Sequence, residues 1–457
     1  MVHAFNFCYH GRTYHFVWDV ESGSLHNVDR VAFLYAKKRY GQVLSEEESN
    51  DFYLIDKRDI AELDSEFSQL EKDGVLNTPC EVYAKRKRIG EIKALCLHIC
   101  NDCNLRCKYC FADEGTYHTT ERAYMSEEVG KRAIDFLIAN SGKRTNLEVD
   151  FFGGEPLMNL SVVKEIVKYA RGRERESGKT FHFTMTTNCV LLNDDTINWL
   201  NEEMHNVVLS IDGRECVHNA VRKTVNGKDC YSLIANNAAK FAKVRGNKSY
   251  YVRGTFTARN LDFADDVLAL NDMGFDQISI EPVVTDIEDL KITKEHLPRI
   301  LAEYDRLAEN YIDRRKTDKW FNFFHFMIDL EGGPCLVKRL TGCGSGCEYL
   351  AVTPTGGIYP CHQFAENKDY YMGNVFDGKI DLSISEKFAD NIVTNKPDCA
   401  NCMAKYYCSG GCVANNLNFA GSMSKPYSIS CEMMRKRLEL SLAIDAIEGS
   451  EKSKSEN

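Results

Sequence analysis

Eight consecutive residues constrain this chain more than any other stretch: Cys103-Asn-Leu-Arg-Cys107-Lys-Tyr-Cys110. The CxxxCxxC spacing lets one loop wrap a corner of a 4Fe-4S cube while supplying three thiolates, so one iron keeps no ligand from the loop. Structural zinc asks for four donors in a closed tetrahedron, and the loop offers three. The fold around it must hold an open cluster edge toward a reaction partner.

The remaining cysteines are unevenly spread. Of nineteen, nine fall between Cys335 and Cys431, whereas positions 111 to 334 hold Cys189, Cys216 and Cys230 alone. The chain has 457 residues, enough to build its cores without disulfide staples, so so many thiols point to metal ligands in a reducing compartment. With 57 basic and 67 acidic residues the net charge is −10, which disfavours a general nucleic-acid binder. No apolar run approaches the ~18 residues of a membrane span, and the opening Met-Val-His-Ala-Phe-Asn-Phe lacks a secretory pattern. A cytoplasmic protein with no membrane or nucleic-acid partner is expected.

Periodicity divides the chain. Residues 2–27 alternate in the strand manner, as in Phe5-Asn6-Phe7-Cys8-Tyr9 and, beyond a turn at Gly11, Tyr14-His15-Phe16-Val17-Trp18, which predicts a hairpin with a short third strand. Helical spacing follows over 30–40 and 59–72, where Ile60, Leu63, Phe67 and Leu70 recur. This β-plus-helix module, residues 1–85, ends at Lys85-Arg86-Lys87-Arg88, read as a solvated linker. From residue 93 short apolar strands alternate with helical stretches, and six strands are expected at 94–99, 147–152, 181–186, 207–211, 250–257 and 277–282. They predict an α/β fold, a partial (β/α)6 barrel over 93–310. Barrel chemistry gathers at the C-terminal ends of strands, and the cysteine loop begins directly after the first. Residues 311–447, rich in glycine, turns and cysteine, read as a domain organised by metal clusters, and 448–457 as a disordered tail.

CxxxCxxC with an aromatic residue, Tyr109, before its last cysteine, on this strand order over 94–282, resembles the radical S-adenosylmethionine (SAM) superfamily. The resemblance implies a 4Fe-4S cluster on Cys103, Cys107 and Cys110, the expected catalytic residues, whose open iron chelates SAM. Reduction of SAM then yields a 5′-deoxyadenosyl radical that takes hydrogen from carbon. Phe151-Phe152-Gly153-Gly154-Glu155-Pro156 resembles the family's GGE motif, with Glu155 expected to accept from the cofactor's ammonium. Thr186-Thr187-Asn188 and Ser210-Ile211-Asp212-Gly213 resemble the segments near the ribose and methionine, Ser210 being the expected ribose or carboxylate contact. Arg222 fits an arginine that grips the cofactor's carboxylate through a bidentate fork. Glu281, ending the sixth strand, lines the pocket or serves the structure. Cys100-Asn-Asp-Cys103 mimics a redox pair, a decoy because Cys103 is needed for the cluster, and Cys96, His98 and Cys100 share a strand face and read as core.

The run Cys343-Gly-Ser-Gly-Cys347, Cys361, Cys399-Ala-Asn-Cys402, Cys408, Cys412 and Cys431 resembles the SPASM domain of peptide-modifying radical enzymes. That implies two auxiliary 4Fe-4S clusters, three in all. The family's interleaved ligation gives Cys343, Cys347, Cys361 and Cys412 for the first and Cys399, Cys402, Cys408 and Cys431 for the second, with zinc ribbons as the alternative. The short 343–347 loop leaves open whether both its cysteines bind or an iron stays free for a substrate thiolate; Cys335 is outside the pattern. The N-terminal module resembles the winged-helix-like recognition element of ribosomal peptide maturases, which would take a leader peptide as an added strand. A winged-helix DNA binder uses similar elements, at odds with the acidic balance. The whole layout resembles thioether-forming maturases acting on cysteine-rich SCIFF peptides, and implies a carbon–sulfur crosslink within a precursor peptide, with flavodoxin or ferredoxin as electron donor. The alternatives are an anaerobic sulfatase-maturing type that makes formylglycine and, outside catalysis, an iron-sulfur electron carrier or zinc-binding interaction protein.

Overall fold

The computed structural model describes residues 1–80, 89–328 and 336–455, with 336–338 and 452–455 as backbone only. The basic run at 85–88 and Cys335 lie outside the described residues. Strand β1 (Val2–Tyr9) pairs antiparallel with β2 (Arg12–Asp19), and β3 (Leu25–Val28) adds to β2. His10 and Gly11, at φ 48° and 73°, make the two-residue turn whose twist suits the flanking strands. Helices α1 (Arg30–Arg39), α2 (Glu46–Tyr53) and α3 (Lys57–Lys72) follow. Alternation sends Val2, Ala4 and Val17 against these helices and Phe5, Phe7, Phe16 and Trp18 into the main core, so the sheet is covered on both faces.

The body begins with β4 (Ala94–Cys100), β5 (Leu105–Cys107), α4 (Glu127–Asn140), β6 (Asn146–Gly153), α5 (Leu160–Ser177), β7 (Thr180–Thr187), α6 (Asp194–Glu203) and β8 (Asn206–Ser210). It continues through α7 (Glu215–Val221), β9 (Arg222–Thr224), α8 (Tyr231–Arg245), β10 (Tyr250–Phe256), α9 (Phe263–Asp272), β11 (Gln277–Pro282), α10 (Leu297–Arg315) and β12 (Asn322–Phe323). All six expected strands are present, parallel and adjacent in the order β4-β6-β7-β8-β10-β11. One side of each, such as Leu147, Val149 and Phe151, is buried in the core, while the alternate positions of β6, β10 and β11 carry Asp150, Arg253 and Glu281.

The cysteine-rich region continues this sheet. Tyr349–Val352 runs parallel to β4, occupying its outer edge, and three short antiparallel strands extend it. Two expectations need correction. The boundary between 310 and 311 falls inside α10. The expected tail is helical as far as Ser455, because the last helix, Ser428–Ser455, packs along α10 and its Glu448 and Glu451 pair with Arg315 and Lys316 at 2.8 Å each.

Candidate active site

The loop after β4 is braced from several sides. β5 pairs antiparallel with β9, Leu105 opposite Thr224 and Cys107 opposite Arg222, and Lys108 N donates to Val221 O at 2.8 Å. Each strand of this ribbon is three residues long, too short to carry a readable alternation. The Cys103 sulfur accepts from Leu105 N at 3.4 Å and faces Asn188 Nδ2 at 3.6 Å, and the backbone N–H groups of Ala112, Glu114 and Gly115 bond to the Cys110 sulfur. Donors converging on sulfur form the kind of nest that holds thiolates and iron-sulfur clusters. Asp113, Glu114, Tyr117 and His118 all take positive φ, between 46° and 61°. Such backbone costs about 1 kcal/mol or more per residue and persists where surroundings impose it. Burial pushes the thiols of Cys103, Cys107 and Cys110 up, Cys103 to about 12, so a metal binding here displaces their protons.

The glycines of the GGE segment explain how loop and sheet meet. A Cβ on Gly153, at φ 117°, would lie 2.5 Å from Cys100 O, and one on Gly154 would lie 1.8 Å from Asp102 O. Glu155 is 1% exposed, and its carboxylate accepts from Thr187 Oγ1 at 2.8 Å, Asn188 N at 2.7 Å and Leu157 N at 3.1 Å. The carboxylate thereby ties the end of β6 to the end of β7, and with three donors on its two oxygens it keeps acceptor capacity for the ammonium expected there. Burial raises its pKa to about 7 despite those three donors. Asn188 in turn donates to Asn104 Oδ1 at 2.7 Å, joining β7 to the cysteine loop. Cys100, fully buried like His98, donates to Glu155 O at 3.1 Å, so the core reading of that strand face holds.

Arg222 is also held by the chain. Its Nε and Nη2 grip Asp212 at 2.8 and 2.9 Å, and both residues are buried. Asp212 also accepts from Tyr109 Oη at 2.7 Å and Thr255 N at 2.9 Å. Burial works against its charge, but Arg222 outweighs it and holds the carboxyl below the usual range. Tyr109, the aromatic of the cysteine motif, is thereby fixed to β8 and β10. Ser210, at the end of β8, lies beside Arg253 of β10. Glu281 faces His325 at 3.6 Å and Arg437 of the last helix at 3.9 Å.

The C-terminal cysteines fall into two groups. Cys343, Cys361 and Cys412 stand within electrostatic reach of one another, as do Cys399, Cys402, Cys408 and Cys431. Backbone N–H groups again bond to sulfur: those of Gln363 and Phe364 to Cys361, of Gly410 and Gly411 to Cys408, and of Ala414 and Asn415 to Cys412. Cys347 stands within reach of Cys343, and its Sγ donates to Ser385 O at 3.4 Å. Among the described residues no three His, Cys, Asp or Glu side chains converge as ligands of one ion must. Thiols ringed by N–H donors and spread in this way suit clusters.

Family comparison agrees with both regions. A 4Fe-4S single cluster domain matches residues 91–234, and the SPASM iron-sulfur cluster-binding domain matches 343–403. These two matches bear out the resemblance to radical SAM SPASM enzymes. The radical SAM cyclopropyl synthase TigE of Paramaledivibacter caminithermalis is 24% identical over 83% of this chain and 80% of its own length. A cysteine-type anaerobic sulfatase-maturating enzyme of Clostridium novyi is 23% identical over 75% of this chain and 93% of its own. Among solved structures, anSMEcpe with bound AdoMet superposes with a TM-score of 0.66 at 17% identity, covering 79% of this chain and 96% of that one. Streptococcus suis SuiB bound to its precursor peptide SuiA superposes at 0.54 and 18% identity, covering 91% and 96%. The fold of anSMEcpe is thus shared over 79% of the chain and that of SuiB over 91%. No helix among the described residues is long and apolar enough to cross a membrane.

Proposed function

We propose that this radical SAM SPASM protein closes a thioether between a cysteine sulfur and a carbon of a cysteine-rich precursor peptide, using one SAM-binding and two auxiliary 4Fe-4S clusters. Bound SAM and its cluster would supply the hydrogen-abstracting radical, and the auxiliary clusters a route out for the electron. Cys103, Cys107 and Cys110 hold the first cluster. Cys343, Cys361 and Cys412 hold the second, and Cys399, Cys402, Cys408 and Cys431 the third. Gly153 and Gly154 let the backbone approach the cofactor, and Ser210 contacts its ribose or carboxylate. Glu155, Asn188, Asp212, Arg222 and Tyr109 fix the geometry around it.

The observation that carries this reading is the asymmetry of the first auxiliary group: Cys343, Cys361 and Cys412 act on one another, whereas Cys347, within reach of Cys343, gives its thiol hydrogen to Ser385 O. A cluster held by three protein thiolates keeps an iron for a substrate cysteine, which places the nucleophilic sulfur. The N-terminal sheet supports it. Among the described residues no strand pairs with the outer edge of β3, where a leader peptide could add. Fold coverage also rises from 79% with anSMEcpe to 91% with SuiB, whether or not SuiB holds its peptide. A flavodoxin or ferredoxin is the proposed reductant.

The net change is a two-electron oxidation in which a C–H and an S–H bond are lost, a C–S bond forms and two hydrogens leave. Reconstituted protein incubated with SAM, reductant and a cysteine-rich peptide bearing its leader should yield a product two hydrogens lighter, with one fewer alkylatable thiol per crosslink. A product with every thiol still alkylatable would contradict thioether formation. Formylglycine formation is the second reading, favoured by the higher TM-score of anSMEcpe; its product has lost sulfur and gained an aldehyde.

A further inference from the structure

Lys396 is 1% exposed, and its Nζ donates to Gly410 O at 2.9 Å. The charged groups that act on it are the thiols of Cys399, Cys408, Cys412 and Cys431, and among the described residues no carboxylate forms an ion pair with it. An ammonium buried without a carboxylate partner is expensive, and the negative charge of clusters on the neighbouring thiolates would offset it. The placement is built in. Gly410, at φ 83°, sits between Cys408 and Cys412, and a Cβ there would come within 2.7 Å of Lys396 Nζ. Asn416, also buried, holds the same carbonyl at 2.9 Å. Nearby Arg435 differs, since Glu432 pairs with it and offsets its charge.

We propose that Lys396 is a fixed positive charge, beside thiols of both auxiliary groups, that raises the clusters' reduction potential and so favours the electron's departure from the crosslinked product. The proposal rests on the two-cluster reading above. Adding an electron to a cluster makes it more negative, and a cation fixed beside it in a low-dielectric interior stabilises that form. Lys396 acts through the thiolates and has no contact with substrate, so it is a positioning residue.

The test uses the full chain with Cys103, Cys107 and Cys110 replaced by alanine, reconstituted with iron and sulfide, so that the auxiliary clusters alone report in a redox titration followed by electron paramagnetic resonance. Lys396→Met should move at least one auxiliary couple to more negative potential. Poised at the parent midpoint, its reduced-to-oxidised ratio should fall about tenfold, equivalent to about 59 mV for one electron. Lys396→Arg should titrate like the parent. Both couples unmoved in Lys396→Met at full iron content would overturn the proposal. Should Lys396→Met fail to take up iron, with or without Lys396→Arg, the residue serves assembly and not potential, which would overturn the proposal. Absence of two auxiliary signals in the parent would instead sink the two-cluster reading, a failure visible before any change at Lys396.

Discussion

The two cysteine regions of this molecule are held in opposite ways. The loop at 103–110 hangs from a finished scaffold: a parallel sheet, the β5–β9 ribbon, the Asp212–Arg222 pair and the Glu155 ties are all made by protein atoms. Between 343 and 431 the chain offers short helices, two- to four-residue strands and thiols bonded chiefly by backbone N–H groups of their own loops. The difference teaches that the first site is shaped before metal arrives and can bind SAM to a rigid edge, whereas the second draws much of its order from its clusters.

Removing iron with a chelator breaks the comparison most sharply. Hydrogen exchange should show amides from 343 to 431 losing most of their protection, while those of β6 and β7 exchange as before. Equal loss in both regions would contradict the contrast. Next in size is Asp212→Asn, which leaves the Arg222 guanidinium buried without its counter-charge. Unfolding monitored by denaturant should show a loss of about 3–5 kcal/mol centred on the barrel.

Glu155 supplies a pH signature. Its folded pKa of about 7 lies above the ordinary 4.5, so the folded state holds a proton that the unfolded state releases. Its contribution is complete below about 4.5 and is lost as pH rises through about 7, on the order of 3 kcal/mol in all. Thermal unfolding should therefore show the barrel less stable at pH 8 than at pH 5, with a weaker dependence in Glu155→Gln. The smallest effect is expected of Gly154→Ala, whose Cβ would press on Asp102 O. About 1–3 kcal/mol of overpacking should displace the loop and lower iron uptake in the first cluster while the auxiliary clusters fill normally.

Much of this was legible in the sequence, and the limits are physical. The six strands were readable because each buries one face, as Leu147, Val149 and Phe151 do. The cysteine positions were readable because a cluster dictates spacing. Side-chain partners were less so: Arg222 and Glu155 stand where a cofactor contact was expected, yet spacing cannot say whether a charge turns to a ligand or to its own chain. The end helix was missed because polar composition suggested disorder, while Arg315 and Lys316, far away in sequence, supply what Glu448 and Glu451 need. The β5–β9 ribbon pairs segments over a hundred residues apart, so no local pattern announces it.

The most direct test of the account counts iron and acid-labile sulfide per chain after anaerobic purification and reconstitution. Three 4Fe-4S clusters predict about twelve of each. About four of each, or zinc in place of iron at the C-terminal cysteines, would contradict the auxiliary clusters and with them the proposed thioether chemistry.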